Sequence, residues 1–307
     1  MIRVVALSGG TGSSKFLRGL QKLAKFTVVA NVADNGWFHG LYVCPDIDTV
    51  TYTLAGLADI AQGWGLAGDT FRALDRLKLL GSDDTWFKLG DLDLATHIFR
   101  TEMMRRGRSL TEVTMRIARS LGVVDWPIIP ASDQHVETRI LTAERGDLHL
   151  QEFWVRERGG LSVKGVRYKG VKRARATDEV ATSIEAAERI IIPPANPITS
   201  IMPIVAIGDM RGMLDRSKAR RVAISPMIGR GAVSGPAAKL MVAKNHKPTS
   251  EGVARLYEGL IDVLVIDEGD RAQSKEIEKR GISCVCVSTM MKSRSDEVEL
   301  AKVAMEA

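Results

Sequence analysis

The chain opens with an apolar run at residues 2–7 broken only by Arg3, the pattern of a strand buried on both faces. Ser8-Gly9-Gly10-Thr11-Gly12 interrupts it, and Phe16, Leu17, Leu20 and Leu23 then recur at helical spacing. Residues 26–32 predict a second strand, and a βαβ opening of this kind implies a parallel sheet. From about residue 49 to 121 the periodicity turns helical. Asp69 starts a helix carrying Phe71, Leu74, Leu77 and Leu80, residues 93–104 form another, and Ser109-Leu110-Thr111-Glu112 is a capping box. Residues 136–142 and 148–155 flank Glu144-Arg145-Gly146-Asp147 and predict a β-hairpin. Strands resume at 189–192, 221–225, 262–267 and 283–287, with helices near 178–188, 252–261 and 295–305. The predicted fold is α/β: a Rossmann-like, doubly wound, mainly parallel sheet forming a single domain over 1–307. It carries a helical insertion at about 49–125 and a β-hairpin region at about 135–175.

Composition supports a globular protein. The 307 residues are 45% hydrophobic and 26% charged, enough to bury a core without disulfides. Cys44, Cys284 and Cys286 are read as reduced structural residues, implying a cytoplasmic setting. In a strand, Cys284 and Cys286 are expected to face opposite ways. The chain start reads directly into a strand rather than as a signal peptide. The most apolar stretch, 190–207, is broken by four prolines, so no membrane span is expected. The net charge is +6, with basic clusters at 105–108, 164–175 and 216–221. Aromatics are only 5%, so the charge suits a phosphate-bearing small molecule better than nucleic acid.

Candidate chemistry lies in loops. The glycines of residues 8–15 let the backbone turn tightly and approach a phosphate at a helix N-terminus. The spacing is not that of a P-loop and half-matches a dinucleotide fingerprint, with Lys15 where a third glycine would stand. Asp34 falls where a ribose-binding carboxylate would lie. Asp46 and Asp48, in a segment read as extended, would point to opposite sides: one to cap a helix, the other free for a metal or a base. Lys88-Leu89-Gly90-Asp91 has the same ambiguity, and His97 reads as a packed histidine. The loops 193–200 and 225–236 follow strands and offer hydroxyls and free N–H groups for a diphosphate or a base.

Taken in order, these motifs resemble the 2-phospho-L-lactate transferase family of coenzyme F420 biosynthesis. They are Ser8–Gly12 with Lys15, Asn31-Val-Ala-Asp34, Pro45-Asp-Ile-Asp-Thr49, Lys88-Leu-Gly-Asp91 with His97, Asn196-Pro-Ile-Thr-Ser200, and Ser225-Pro226 to Ser234-Gly-Pro236. The resemblance implies transfer of a phospholactyl group from lactyl-2-diphospho-5′-guanosine to FO, the deazaflavin precursor (7,8-didemethyl-8-hydroxy-5-deazariboflavin), giving F420-0 and GMP. It implies Mg2+ as cofactor, an enolpyruvyl donor in some members, and a cytoplasmic homodimer. Asp48 and Lys88 match the FO-binding positions, with Asp48 catalytic. Gly9, Gly10, Thr11, Gly12, Lys15, Asn196, Pro197, Ser200, Ser225, Gly229, Ser234 and Gly235 would hold nucleotide and phosphates, and Asp34 with Asp48 would hold the metal. Asn35 stands where many relatives carry a second acid, which bears on that metal site. The alternative is a nucleotide-sugar-binding regulator of the related gluconeogenesis-factor branch.

Overall fold

The computed structural model describes residues 2–307 apart from Arg230 and Ser234. The first unit is strand β1 (Val4–Ser8), helix α1 (Gly10–Leu20) and strand β2 (Phe26–Ala30). A short hairpin follows, β3 (Gly36–Phe38) and β4 (Leu41–Val43), where the sequence suggested a long loop. Its two-residue turn, His39-Gly40, takes positive φ at both positions, the backbone that matches strand twist. Helices α2 (Pro45–Leu54), α3 (Arg72–Leu79), α4 (Asp91–Arg105) and α5 (Leu110–Ser120) make the helical region, and α5 carries the expected capping box. Helix α3 starts three residues later than Asp69 because that aspartate serves the next helix. Asp69 accepts from the N–H of Leu92 (2.8 Å) and Asp93 (3.0 Å) at the start of α4. Asp91 accepts from Arg72 (3.0 Å) and Ala73 (2.9 Å) at the start of α3. The two helices thus exchange caps.

Strand β5 (Ile128–Pro130) rejoins the main sheet. The expected hairpin is instead a three-stranded antiparallel sheet: β6 (Glu137–Thr142) sits between β7 (Gly146–His149) and β8 (Val163–Lys169). The second arm is shorter than predicted because the chain turns into a π-helical segment at Glu152–Arg156. Helix α6 (Asp178–Ala186), strand β9 (Arg189–Ile192), helices α7 (Met202–Val205) and α8 (Met210–Arg216), and strand β10 (Arg220–Ile224) follow. A two-residue ribbon, β11 (Met227–Ile228) and β12 (Gly231–Ala232), precedes helices α9 (Ala237–Ala243) and α10 (Ser250–Leu256). Strand β13 (Val263–Asp267), helix α11 (Ser274–Glu278), strand β14 (Ser283–Val287) and helix α12 (Arg294–Glu306) end the chain. Cys284 and Cys286 lie within side-chain hydrogen-bonding reach of each other on β14. The expectation of opposite faces was wrong, because a strand repeats every two residues.

The seven-stranded sheet runs β14-β13-β10-β9-β1-β2-β5, and every pairing is parallel. Strand order therefore reverses between β1 and β9, the switch point where ligands bind in a doubly wound sheet. Both strands are apolar and buried, as expected for a sheet covered on both faces. No helix among the described residues is long and apolar enough to cross a membrane.

Helix α1 packs on α12 through Gly19, where an added Cβ would stand 2.2 Å from the carbonyl oxygen of Glu297. Beside it, Arg18 and Glu297 form a buried ion pair. Gly19→Ala forces two helix backbones apart, and we expect a loss of about 1–3 kcal/mol in urea denaturation. An unchanged midpoint would mean that α12 shifts without cost.

Candidate active site

The switch point is built by close approach of two loops. Gly9 joins β1 to α1, whose first turn carries Gly10 and Gly12, and the loop after β9 carries Pro193 to Ser200. A Cβ on Gly12 would fall 2.2 Å from the Pro194 carbonyl oxygen, and one on Gly9 would meet Asp46 Oδ2 at 2.7 Å and Ser200 Cβ at 2.8 Å. These glycines are required by contact between loops as much as by any ligand. Helix α1 has no side-chain cap of its own at Gly9; instead the Gly10 N–H donates to Asp46 Oδ1 at 2.7 Å. Asn31 Nδ2 donates to Asp46 Oδ2 at 2.8 Å, so the end of β2 also holds this carboxylate.

A cleft of about 1040 Å³ opens at this point. Gly9, Gly10, Thr11, Gly12 and Lys15 line it together with Asn196, Ser200, Ser225 and Gly235. Asp34, Asp46 and Asp48 belong to the same lining. So do Lys88 and the aromatic side chains of Trp64, Trp86, Phe87 and Trp154. Phe87 stacks on Phe38 of the β3–β4 hairpin with ring centroids 3.7 Å apart, which fixes the loop bearing Lys88. Two expected nucleotide-binding positions are elsewhere. Pro197 is buried at the first position of a helical turn capped by Asn196 Oδ1, and Gly229 turns the β11–β12 ribbon with its N–H held by Asp270. Ser234 lies outside the described residues.

The paired aspartates are not in an extended segment. Both occupy the first turn of α2, and their surroundings differ sharply. Asp48 forms an ion pair with Arg100, whose Nη1 donates to Oδ2 at 3.0 Å and whose Nη2 donates to Oδ1. Asp46 has no cation against it in the hydrogen-bond network just described; burial pushes it up to about 6, against the pull of Asn31 and Gly10. Asp34 is raised well above the usual carboxylate range, by burial first and then by the charge of Asp46. The carboxylate that acts on Asp34 is thus Asp46 rather than Asp48. Asp34 Oδ1 is buried without a hydrogen-bond partner, and Asn35 beside it has both amide atoms in the same state. Two buried, uncompensated carboxylates facing a cleft fit a hard cation such as Mg2+, which commonly takes one or two protein carboxylates and completes its shell with water and phosphate oxygens. Among the described residues no group of three or more His, Cys, Asp or Glu could hold a metal without such outside ligands.

His97 is buried as expected, with Nε2 3.1 Å from Asp93 Oδ1. The sequence offered Asp46 as a helix cap or a free carboxylate and Asn31 as part of a motif, whereas Arg100 and the cleft aromatics were not singled out from it. For Arg100 a signal existed: Asp93, His97 and Arg100 recur at four and three residues, one face of a helix.

Strand order and the cleft at the switch point define a Rossmann-like α/β protein with a cleft at the carboxyl ends of its strands, where such folds bind ligands. A protein of the UPF0052 family from Bacillus halodurans shares this fold, with a TM-score of 0.66 at 16% identity over 99% of this chain and 98% of the other. The 2-phospho-L-lactate transferase CofD family matches residues 4–304, and the chain belongs to that family of transferases. The 2-phospho-L-lactate transferase of Methanosarcina mazei is 41% identical over 99% of this chain and all of its own. That of Methanopyrus kandleri is 40% identical over 98% of this chain and 96% of its own.

The raised Asp46 makes stability depend on pH. Between about pH 4 and 6 the folded protein keeps a proton that the unfolded chain, with an ordinary carboxylate, has released; this contribution to stability falls as pH rises through that window. Asp46→Asn cannot ionise. In metal-free buffer it should gain on the wild type by roughly 2–3 kcal/mol from pH 4 to pH 7. Parallel stability curves from urea titrations would count against the raised carboxylate.

Proposed function

We propose that this transferase moves the phospholactyl group of lactyl-2-diphospho-5′-guanosine to FO, yielding F420-0 and GMP. The observation that carries this reading is one cleft whose lining combines two chemistries. Glycine-loop backbone, Lys15, Ser200 and Ser225 suit a diphosphate, while aromatic faces with Lys88 suit a flat deazaflavin. Asp34, Asp46 and Asp48 line the same cleft, within which the two substrates would meet.

In the reaction, a ribityl hydroxyl oxygen of FO bonds to the phospholactyl phosphorus and the bridging oxygen leaves with GMP. The hydroxyl proton passes to a carboxylate within reach. Asp48 accepts a hydrogen bond from that hydroxyl and orients it, and Lys88 holds the deazaflavin. The start of α1 and Lys15 take up phosphate charge. Asp34 and Asp46 would hold Mg2+, which when bound offsets diphosphate charge and stabilises the departing GMP.

The test is incubation with FO, Mg2+ and guanylyl-activated phospholactate, in parallel with the phosphoenolpyruvate analogue, read by mass spectrometry. F420-0, or its dehydro form, together with GMP is the expected outcome and names the donor. No product with either donor, but tight nucleotide-sugar binding, would replace this reading with a regulatory one. Lys88→Ala should raise the KM for FO about 10-fold or more with little change in the KM for the donor. An unchanged KM for FO removes Lys88 from the acceptor site.

A further inference from the structure

We infer that Arg100 is a positioning residue for Asp48, setting the direction in which that carboxylate receives the acceptor hydroxyl; the inference rests on Asp48 being the acceptor-binding carboxylate proposed above. Arg100 is fully buried and does not line the cleft, so it touches neither substrate directly. Its two terminal nitrogens span both oxygens of Asp48, a bidentate arrangement that stops the carboxylate from turning. The guanidinium is itself held from behind: Nη1 lies 3.1 Å from His97 Nδ1. A guanidinium has no acceptor, so that ring nitrogen accepts and the ring N–H falls on Nε2, toward Asp93. Asp93 Oδ1, 3.1 Å from His97 Nε2, accepts a hydrogen bond from the Tyr52 hydroxyl at 2.6 Å. Despite its burial, Asp93 is held below the usual carboxylate range by His97 and Tyr52, so it remains a charged anchor.

The arrangement does two things for a group-transfer site. The lone pairs of Asp48 not taken by Arg100 are left to the cleft in one fixed orientation, which favours a single hydroxyl approach. The positive charge behind Asp48 also cancels a carboxylate charge that would otherwise repel an incoming diphosphate.

The test compares wild type, Arg100→Lys, Asp48→Asn and the double variant, with circular dichroism as the check on folding. FO binding is followed by deazaflavin fluorescence, and turnover by GMP release. Lysine keeps the charge and loses the span. We expect Arg100→Lys to lower kcat by about 10- to 100-fold and to weaken FO binding, with the KM for the donor changed less than about twofold. In the Asp48→Asn background the same change should have no further effect on FO binding, because Arg100 acts through Asp48. Wild-type kinetics in folded Arg100→Lys, or equal effects on FO binding in both backgrounds, overturns the inference. If Arg100→Lys does not fold, His97→Asn, which removes the rear support, takes its place with the same two criteria. A wild-type protein that neither binds FO nor releases GMP would instead overturn the functional reading, and the role of Arg100 with it.

Discussion

The absence of two methyl groups governs the rest of this molecule. Where the strand order reverses, the loop after β1 and the loop after β9 approach so closely that a Cβ at Gly9 or Gly12 would overlap its neighbours. Only glycine lets both loops end at one place, and only there does the start of α1 meet the end of β2 and the first turn of α2. Asp46 joins the three, accepting from Gly10 and Asn31. The carboxylate therefore caps one helix from within another, and its burial follows from the loop contact.

Aspartates two residues apart in one helical turn are given opposite electrostatic treatment. Asp48 has a permanent cation on both oxygens, and its charge is balanced inside the protein. Breaking such a buried pair by removing one partner costs about 3–5 kcal/mol, since the survivor is left uncompensated. Asp46 and Asp34 lack this balance, and their burial favours the protonated form. One carboxylate is built to stay as it is, and the other two are built to respond.

The sheet was legible because its strands are continuous apolar runs between glycine and proline signals, and their parallel order follows from the βαβ opening. β5 and the β3–β4 hairpin escaped notice. Both are three residues long, too short for periodicity, and His39-Gly40 is a weaker turn signal than Asn-Gly. At the site, loops with glycine and hydroxyl clusters could be placed on the cleft from sequence alone. The division of labour between Asp46 and Asp48 could not, because it depends on α4, some fifty residues away, supplying Arg100. Pro197 and Gly229 belong to site-forming loops, and their observed contacts serve the loops' own geometry.

The exchanged caps of α3 and α4 have a consequence for how this region tolerates change. Asp69 and Asp91 pin the base of the 70–90 segment, and the Asp91 N–H donates to the Thr70 carbonyl at 2.7 Å. The tip, around Leu79 and Leu80, is largely exposed. The segment is in effect a closed ring with a free crown, and Lys88 sits near the clasp. Residues added at the crown enlarge the ring without moving its base, and doubling the length of such a loop costs only about 0.6 kcal/mol. The crown is thus a place where length can vary, by evolution or by design, while the part of the cleft lined by Lys88 keeps its shape.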